Sequence, residues 1–377
     1  MSNTALWGVR PEAAIAGAAK SKAANRVINR VITISRCAFV GPNLIARLTK
    51  YKHWGKTMSH RPRLLVTRRM PEAVTRRAAR DYDAVLNPDD RIMTPQELLH
   101  AAEGKDAMMI CGSERITADL VAALPASVRI ISTFSVGYEH IDVDAVKASG
   151  RTVTNTPEVL NEAVADLAMM LLLGAARRGH EGQTLLREGR WNQWHTTMLL
   201  GKDVAGARLG ILGMGGIGQA VARRARAFGM NIHYHNRSPL PSALAEGATY
   251  HGSPEALAAV SDFLSINCPS TEETRGLVDT GFIEAMPADA VLVNTARGDI
   301  VDDDAVIAAL KSGRLFAAGL DVFKGEPALD ARYRDLTNAF LLPHLGSATY
   351  GTRDAMGFCC LDNLDAFFAG KPCPTAL

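Results

Sequence analysis

Cysteine is scarce, long apolar runs are missing, and acids are almost absent from the first 57 residues. The six cysteines (Cys37, Cys111, Cys268, Cys359, Cys360, Cys373) form no CxxC pair. Neither a disulfide framework nor a cysteine-held zinc is therefore expected, and the thiols read as reduced, in a cytoplasmic compartment. The longest apolar run, Leu167–Ala176, has ten residues, where a membrane span needs about 20. No short-period repeat or low-complexity tract interrupts the chain. With 47% hydrophobic and 21% charged residues among 377, disorder is excluded as a whole-chain description. At about 100–200 residues per domain, the length fits two domains.

The net charge of +3 conceals an asymmetry. Residues 1–57 hold ten Lys or Arg and a single acid, Glu12, whereas the remainder holds 32 basic and 38 acidic side chains. A basic arm fits a nucleic-acid or membrane partner. Its Arg, Ala and Ser content fits a targeting peptide equally. A third reading is a leader, because Met58-Ser59-His60-Arg61-Pro62-Arg63 resembles a natural start ahead of Leu64-Leu65-Val66. The segment is read as an extension, disordered or not native, and is set aside from the fold; neither a nucleic-acid nor a membrane partner is expected.

From residue 63 onward the chain alternates short apolar runs with helical stretches. Strands are expected at Leu64–Thr67, Ala84–Leu86, Ala107–Ile110, Arg129–Thr133 and Thr152–Thr154. A long helix is expected from Glu158 to Arg178, with Pro157 near its first turn. A second series of strands is expected at Arg208–Leu212, Asn231–His235, Asp262–Asn267, Ala290–Asn294, Phe316–Leu320 and Phe340–Leu342. Strands alternating with helices imply parallel sheets covered on both faces. The fold class is α/β, with two Rossmann-like or flavodoxin-like domains and a cleft between them. Residues 58–157 plus 343–377 would form the substrate domain, and 158–342 the dinucleotide domain.

The strongest local signal is Gly213-Met214-Gly215-Gly216-Ile217-Gly218. Such spacing alone is weak, but it comes after one strand, opens a helix and precedes another strand. That context suits a pyrophosphate approached by backbone amides; a ligand-free packing turn is the bland alternative. Eighteen residues past Gly218 stands Asn236, where an NAD enzyme would place an acid on the ribose. Arg237 and Ser238 offer a guanidinium and a hydroxyl suited to a 2′-phosphate, so NADPH is favoured, with NADH still open. Arg237 as a solvated turn residue is the competing reading.

Three polar residues stand after separate strands: Arg297 in NTARG, Glu326 in GLDVFKGEP and His344 in LLPHLGS. Each alone reads as a cap or surface residue. Jointly they supply an anion anchor, a carboxylate and a titratable base at the strand ends where ligands of open sheets bind. His233 and His235 share a strand face, but lack the partners of a metal site, and no metal is expected.

Together with Phe134-Ser135-Val136-Gly137-Tyr138-Glu139-His140-Ile141-Asp142 and PHLGSAT, these motifs make the chain resemble the D-isomer-specific 2-hydroxyacid dehydrogenases from Leu64 onward, about four-fifths of its length. Within that family it is most similar to glyoxylate and hydroxypyruvate reductases. The resemblance implies that Arg297 holds the keto oxygen and carboxylate of a small 2-keto acid, that His344 exchanges a proton with the carbonyl, and that Glu326 fixes the imidazole tautomer. Backbone amides of Val136 and Gly137 would clamp the carboxylate. Asp321 would sit near the nicotinamide and Cys268 and Pro269 on the adenosine side, with Thr295, Ala296, His344 and Gly346 completing the cofactor contacts. It also implies a homodimer, with an interface arm around Trp191 and Trp194, for which a buried packing role is the competing reading. Two positions depart from the pattern: Asn161 stands where many relatives have Thr, and Gly216 replaces a frequent Arg or His. Reductases of sugar acids such as 2-ketogluconate, and a dinucleotide-sensing co-repressor of the same fold, remain alternatives.

Overall fold

The computed structural model describes residues 61–377. The basic segment 1–57 and Cys37 lie outside the described residues. Two parallel sheets organise the rest. The first is built from β1 (Arg63–Val66), β2 (Asp83–Val85), β3 (Ala107–Ile110), β4 (Ile130–Thr133) and β5 (Thr152–Thr154), in the order β2-β1-β3-β4-β5. The intervening helices are α1 (Glu72–Asp81), α2 (Pro95–Ala102), α3 (Ala118–Ala123) and α4 (Val143–Ala148). The inner strand β3 (AMMI) is apolar and buried along its whole length because both faces are covered, whereas the edge strands β2 and β5 carry Asp83, Thr152 and Thr154. Leu64 and Val66 join one core and Leu65 the other, as strand alternation requires.

The second sheet has seven strands: β6 (Arg208–Leu212), β7 (Asn231–His235), β8 (Thr249–Tyr250), β9 (Phe263–Ile266), β10 (Ala290–Asn294), β11 (Leu315–Leu320) and β12 (Ala339–Leu341). Their order is β12-β11-β10-β9-β6-β7-β8, all parallel. The order reverses at β6, so the β6 and β9 carboxyl ends form the crevice where such sheets bind ligands. The two-residue β8 has no sequence expectation to match; it is too short for alternation to register.

Helix α5 (Asn161–Ala176) joins the two sheets. Val164 packs into the core of the first, and Ala165 through Ala176 into that of the second. It starts later than Glu158 because Glu158 has a φ of 67°, which no continuing α-helix tolerates. The next helix is α6 (Gly179–Arg187), and α7 (Gly216–Ala227) begins inside the glycine loop. The last, α12 (Tyr350–Phe368), with α8 (Ser242–Ala245), α9 (Pro254–Ala258), α10 (Thr280–Ala285) and α11 (Asp303–Ser312) between, returns to the first sheet. It packs on β4 and α1 through Met356, Cys360, Leu361 and Leu364.

Close approach of α5 to β11 depends on Gly319. A Cβ there would lie 2.8 Å from the Leu171 carbonyl oxygen and 2.9 Å from its Cβ. Gly319→Ala is therefore expected to cost about 1–3 kcal/mol, measured by urea denaturation. Gly351→Ala in α12, with nothing within 4 Å of the added atom, is the control and should gain up to about 1 kcal/mol.

Candidate active site

The glycine loop is shaped by what its residues touch. Gly213 has a φ of 94°, and a Cβ there would sit 2.5 Å from the Cys268 backbone nitrogen. A Cβ on Gly218 would collide with the Gly213 carbonyl, so this glycine lets α7 seat against the loop. Gly215 has open space around it, which leaves room for a ligand at the helix N-terminus. Met214 is buried, and its N–H donates to Asn236 Oδ1 at 2.6 Å. Asn236 thus braces the loop, while Arg237 and Ser238 are exposed beyond β7. Ile217 packs at the junction of both cores.

The two departures from the family pattern are neighbours. A Cβ on Gly216 would collide with the Asn161 side-chain amide. The amide at the start of α5 thus takes the space that a larger residue at 216 would fill.

A cleft of about 2360 Å³ lies between the two sheets and reaches Ile217 of the glycine loop. That exceeds the ~300–1,000 Å³ of ordinary small-ligand pockets, and suits a dinucleotide with a small acid beside it. Cys268, Pro269, Thr295, Ala296 and Ile217 line it. Asn267 Oδ1 and Thr295 Oγ1, both in its lining, are buried with no hydrogen-bond partner. Unmet buried polar atoms of this kind mark where a polar ligand fits. Burial pushes the Cys268 thiol up to about 11, so it stays a neutral wall group.

Asn294, fully buried at the end of β10, fixes the turn that presents Arg297. Its Oδ1 accepts from the Ala296 N–H at 3.0 Å and its Nδ2 donates to the Arg297 carbonyl at 2.8 Å. The Arg297 guanidinium reaches across to the other half, pairing with Glu139 at 3.2 Å. It rests on Gly137, where any Cβ would collide with it.

Val136 and Gly137 come just after β4. The Ser135 carbonyl accepts from the Thr156 N–H at 2.9 Å, and the Val136 carbonyl from Asn155 Nδ2 at 2.9 Å. In planar trans peptides the N–H points opposite its carbonyl, so the amides of Val136 and Gly137 are turned away from those partners. Both residues line the cleft. Behind them, Ser135 Oγ donates to the Gly137 carbonyl at 2.7 Å, and Thr133 Oγ1 links Ser135 (2.8 Å) to His140 Nε2 (3.0 Å).

His344 Nδ1 is paired with Glu326. Burial alone would raise the Glu326 carboxyl, but the His344 bond and charge and the Phe323 amide at 3.0 Å together hold it below its ordinary value. The imidazole is half exposed, and its Nε2 is the nitrogen left for the cleft. Asp321 is buried, accepting from the amides of Leu345 at 2.6 Å and Gly346 at 2.8 Å. Burial pushes its carboxyl up against the opposing pull of those amides.

The pattern described as D-isomer specific 2-hydroxyacid dehydrogenase, NAD binding domain, matches residues 169–346. A glycerate dehydrogenase of Hyphomicrobium methylovorum is 42% identical over 317 residues, covering 84% of this chain and 98% of that one. The chain belongs to the D-isomer-specific 2-hydroxyacid dehydrogenases. A glyoxylate reductase of Thermococcus kodakarensis is 41% identical over 84% of this chain and 96% of its own. An NADPH-dependent glyoxylate/hydroxypyruvate reductase of Sinorhizobium meliloti, solved with NADP and malonate, superposes with a TM-score of 0.75. It is 34% identical over 84% of this chain and 98% of its own.

Elsewhere, His233 Nδ1 meets His251 Nε2 at 3.0 Å, and His235 bonds the His251 carbonyl. No group of three or more potential metal ligands is assembled among the described residues. No helix among them is long and apolar enough to cross a membrane. Sequence reasoning missed Asn155, Asn267, Asn294 and Glu139. Only their positions beside strand ends or inside the Phe134–Asp142 motif hinted at them.

Burial lowers His140 to about 4, below its unfolded value of about 6.5. Between those values the unfolded chain binds more protons, so the buried ring costs stability as pH falls. His140→Gln should lose about 1–2 kcal/mol less stability than the native chain between pH 7 and pH 5, by urea denaturation at both. Equal losses would mean that His140 takes up its proton in the fold.

Proposed function

We propose that this dehydrogenase reduces a small 2-keto acid, glyoxylate or hydroxypyruvate first, with NADPH, hydroxypyruvate giving the D-2-hydroxy acid. The observation that carries this reading is that Arg297 and the His344–Glu326 pair, 47 residues apart from Arg297 to His344, line one cleft that also reaches Ile217 of the glycine loop. A reduced nicotinamide bound there supplies the hydride. The Val136 and Gly137 amides and Arg297 hold the substrate carboxylate, and Arg297 polarises the keto oxygen. His344 delivers the proton to that oxygen through Nε2, while Glu326 on Nδ1 fixes the tautomer and stabilises the charged ring.

The glycine loop, Cys268, Pro269, Thr295, Ala296, Asp321 and Gly346 would frame the cofactor. The NADP preference rests on Asn236 standing where an acid would repel a 2′-phosphate, with Arg237 and Ser238 exposed beside it. That the Sinorhizobium relative was solved with NADP supports it. In this reading residues 58–157 plus 343–377 bind the substrate and 158–342 the dinucleotide. The working form is a cytoplasmic homodimer. Leu186, Trp191, Trp194 and Leu200, each more than half exposed along one segment, are the apolar surface that a second copy would cover.

The deciding assay tracks NAD(P)H absorbance with glyoxylate, hydroxypyruvate, pyruvate and 2-ketogluconate, each with both cofactors. Turnover with NADPH well above NADH is expected. A best rate on 2-ketogluconate would move the substrate to the sugar acids, and tight dinucleotide binding without turnover would mark a sensor. His344→Ala should lower kcat by about 10²–10⁴-fold with NADPH still bound. Arg237→Ala should weaken NADPH by roughly tenfold while sparing NADH; equal losses would remove the 2′-phosphate from Arg237.

A further inference from the structure

Arg297 already holds a carboxylate. Its Nε lies 3.2 Å from Glu139 Oε1 and its Nη2 donates to Oε2 at 3.4 Å, so the side-on edge of the guanidinium faces that acid. Its Nη1 donates to the Ala296 carbonyl at 2.8 Å. Three of its five N–H donors are thus engaged, and the edge that pairs Nε with Nη2 is held by Glu139. The position that Glu139 occupies is informative as well. A Cβ on Gly137 would lie 2.5 Å from Glu139 Oε2 and 2.9 Å from Oε1, so the carboxylate is folded back over the very residue whose amide faces the cleft. Arg297 and Glu139 are 158 residues apart and come from the two halves of the cleft. The pair spans the place where the substrate anion would sit.

We propose that Glu139 is an internal stand-in for the substrate carboxylate: it occupies Arg297 over Gly137, and a 2-keto acid must displace it to bind. This rests on the proposed reduction of 2-keto acids, and adds a residue that sets substrate affinity without touching the reacting atoms. Displacement is feasible because both side chains are about one-third exposed, so water can solvate the released carboxylate and the pair is weak. It also gives selectivity. An anion too weakly bidentate to outcompete Glu139 is refused, whereas a 2-keto acid gains the guanidinium and the two amides at once.

Glu139→Gln keeps the shape and removes the charge, and Glu139→Ala removes both. In either variant the KM for glyoxylate should fall about two- to fivefold, the size of an exposed pair. The Kd of oxamate for the NADPH-bound protein, by titration calorimetry, should fall in parallel. Unchanged or raised values in both variants would overturn the proposal and make Glu139 a brace that holds Arg297 for the substrate. The KM-against-kcat split separates these, because a mere loss of fold lowers kcat without tightening oxamate. Absence of turnover by the native chain on every 2-keto acid would sink the functional reading instead. The oxamate comparison still judges the competition at Arg297 in that case.

Discussion

A buried polar group costs free energy unless it is paired, and three paired ones hold the shape of the cleft. Asn155, Asn294 and Asp321 each sit at or just past a strand end, out of reach of water. An unpaired group there would cost about 1–3 kcal/mol, so each reaches for the adjacent backbone. Asn155 turns the Val136 peptide, Asn294 closes the turn before Arg297, and Asp321 gathers the loop after His344. The last two are themselves joined, since the Asp321 N–H donates to the Asn294 carbonyl at 3.0 Å. The residues with chemistry to perform are thus held by neighbours with none, as preorganised sites require.

How much of the molecule is legible in its sequence depends on the range of the interactions involved. Short runs of strand-forming residues are a local signal, so the apolar runs at Ala107–Ile110 and Ala290–Asn294 and the β-branched run at Thr152–Thr154 coincide with strands to the residue. The N-caps Thr117, Asp142 and Asp302 announce their helices because a cap bond spans only three residues. The glycine loop is legible for the same reason. Contacts between distant segments are not. Asn161 and Gly216 read as two unrelated departures, yet the fold presses one against the other. Glu139 lies inside the Phe134–Asp142 motif without a role, because nothing local says that an arginine 158 positions later will reach it. Asp321 lines the cleft, and the bonds its two oxygens accept from the amides of Leu345 and Gly346 are likewise a contact that no local signal announces.

Charge in the cleft is arranged as two pairs of similar exposure, and the difference between them lies in range. Glu326 and His344 are 18 residues apart, and His344 with the Phe323 amide holds the Glu326 carboxyl below its ordinary value although burial opposes them. Glu139 and Arg297 are 158 residues apart and reach each other from opposite sides of the cleft, so that pair depends on how the two sheets meet.

The backbone at His344 shows how firmly that loop is held. Its φ of 55° is left-handed, a conformation that costs a non-glycine residue about 1–3 kcal/mol. Three bonds to Asp321 oppose that cost: the His344 N–H donates to its carbonyl at 2.8 Å, and the next two amides to its carboxylate. At about 0.5–1.5 kcal/mol for a neutral bond and ~1.5–3 for each to a charged group, they outweigh the strain. A right-handed or extended His344 would carry the following amides off Asp321 and leave a buried carboxylate unpaired. The strained conformation is therefore the stable one, and it is what points the imidazole at both Glu326 and the cleft.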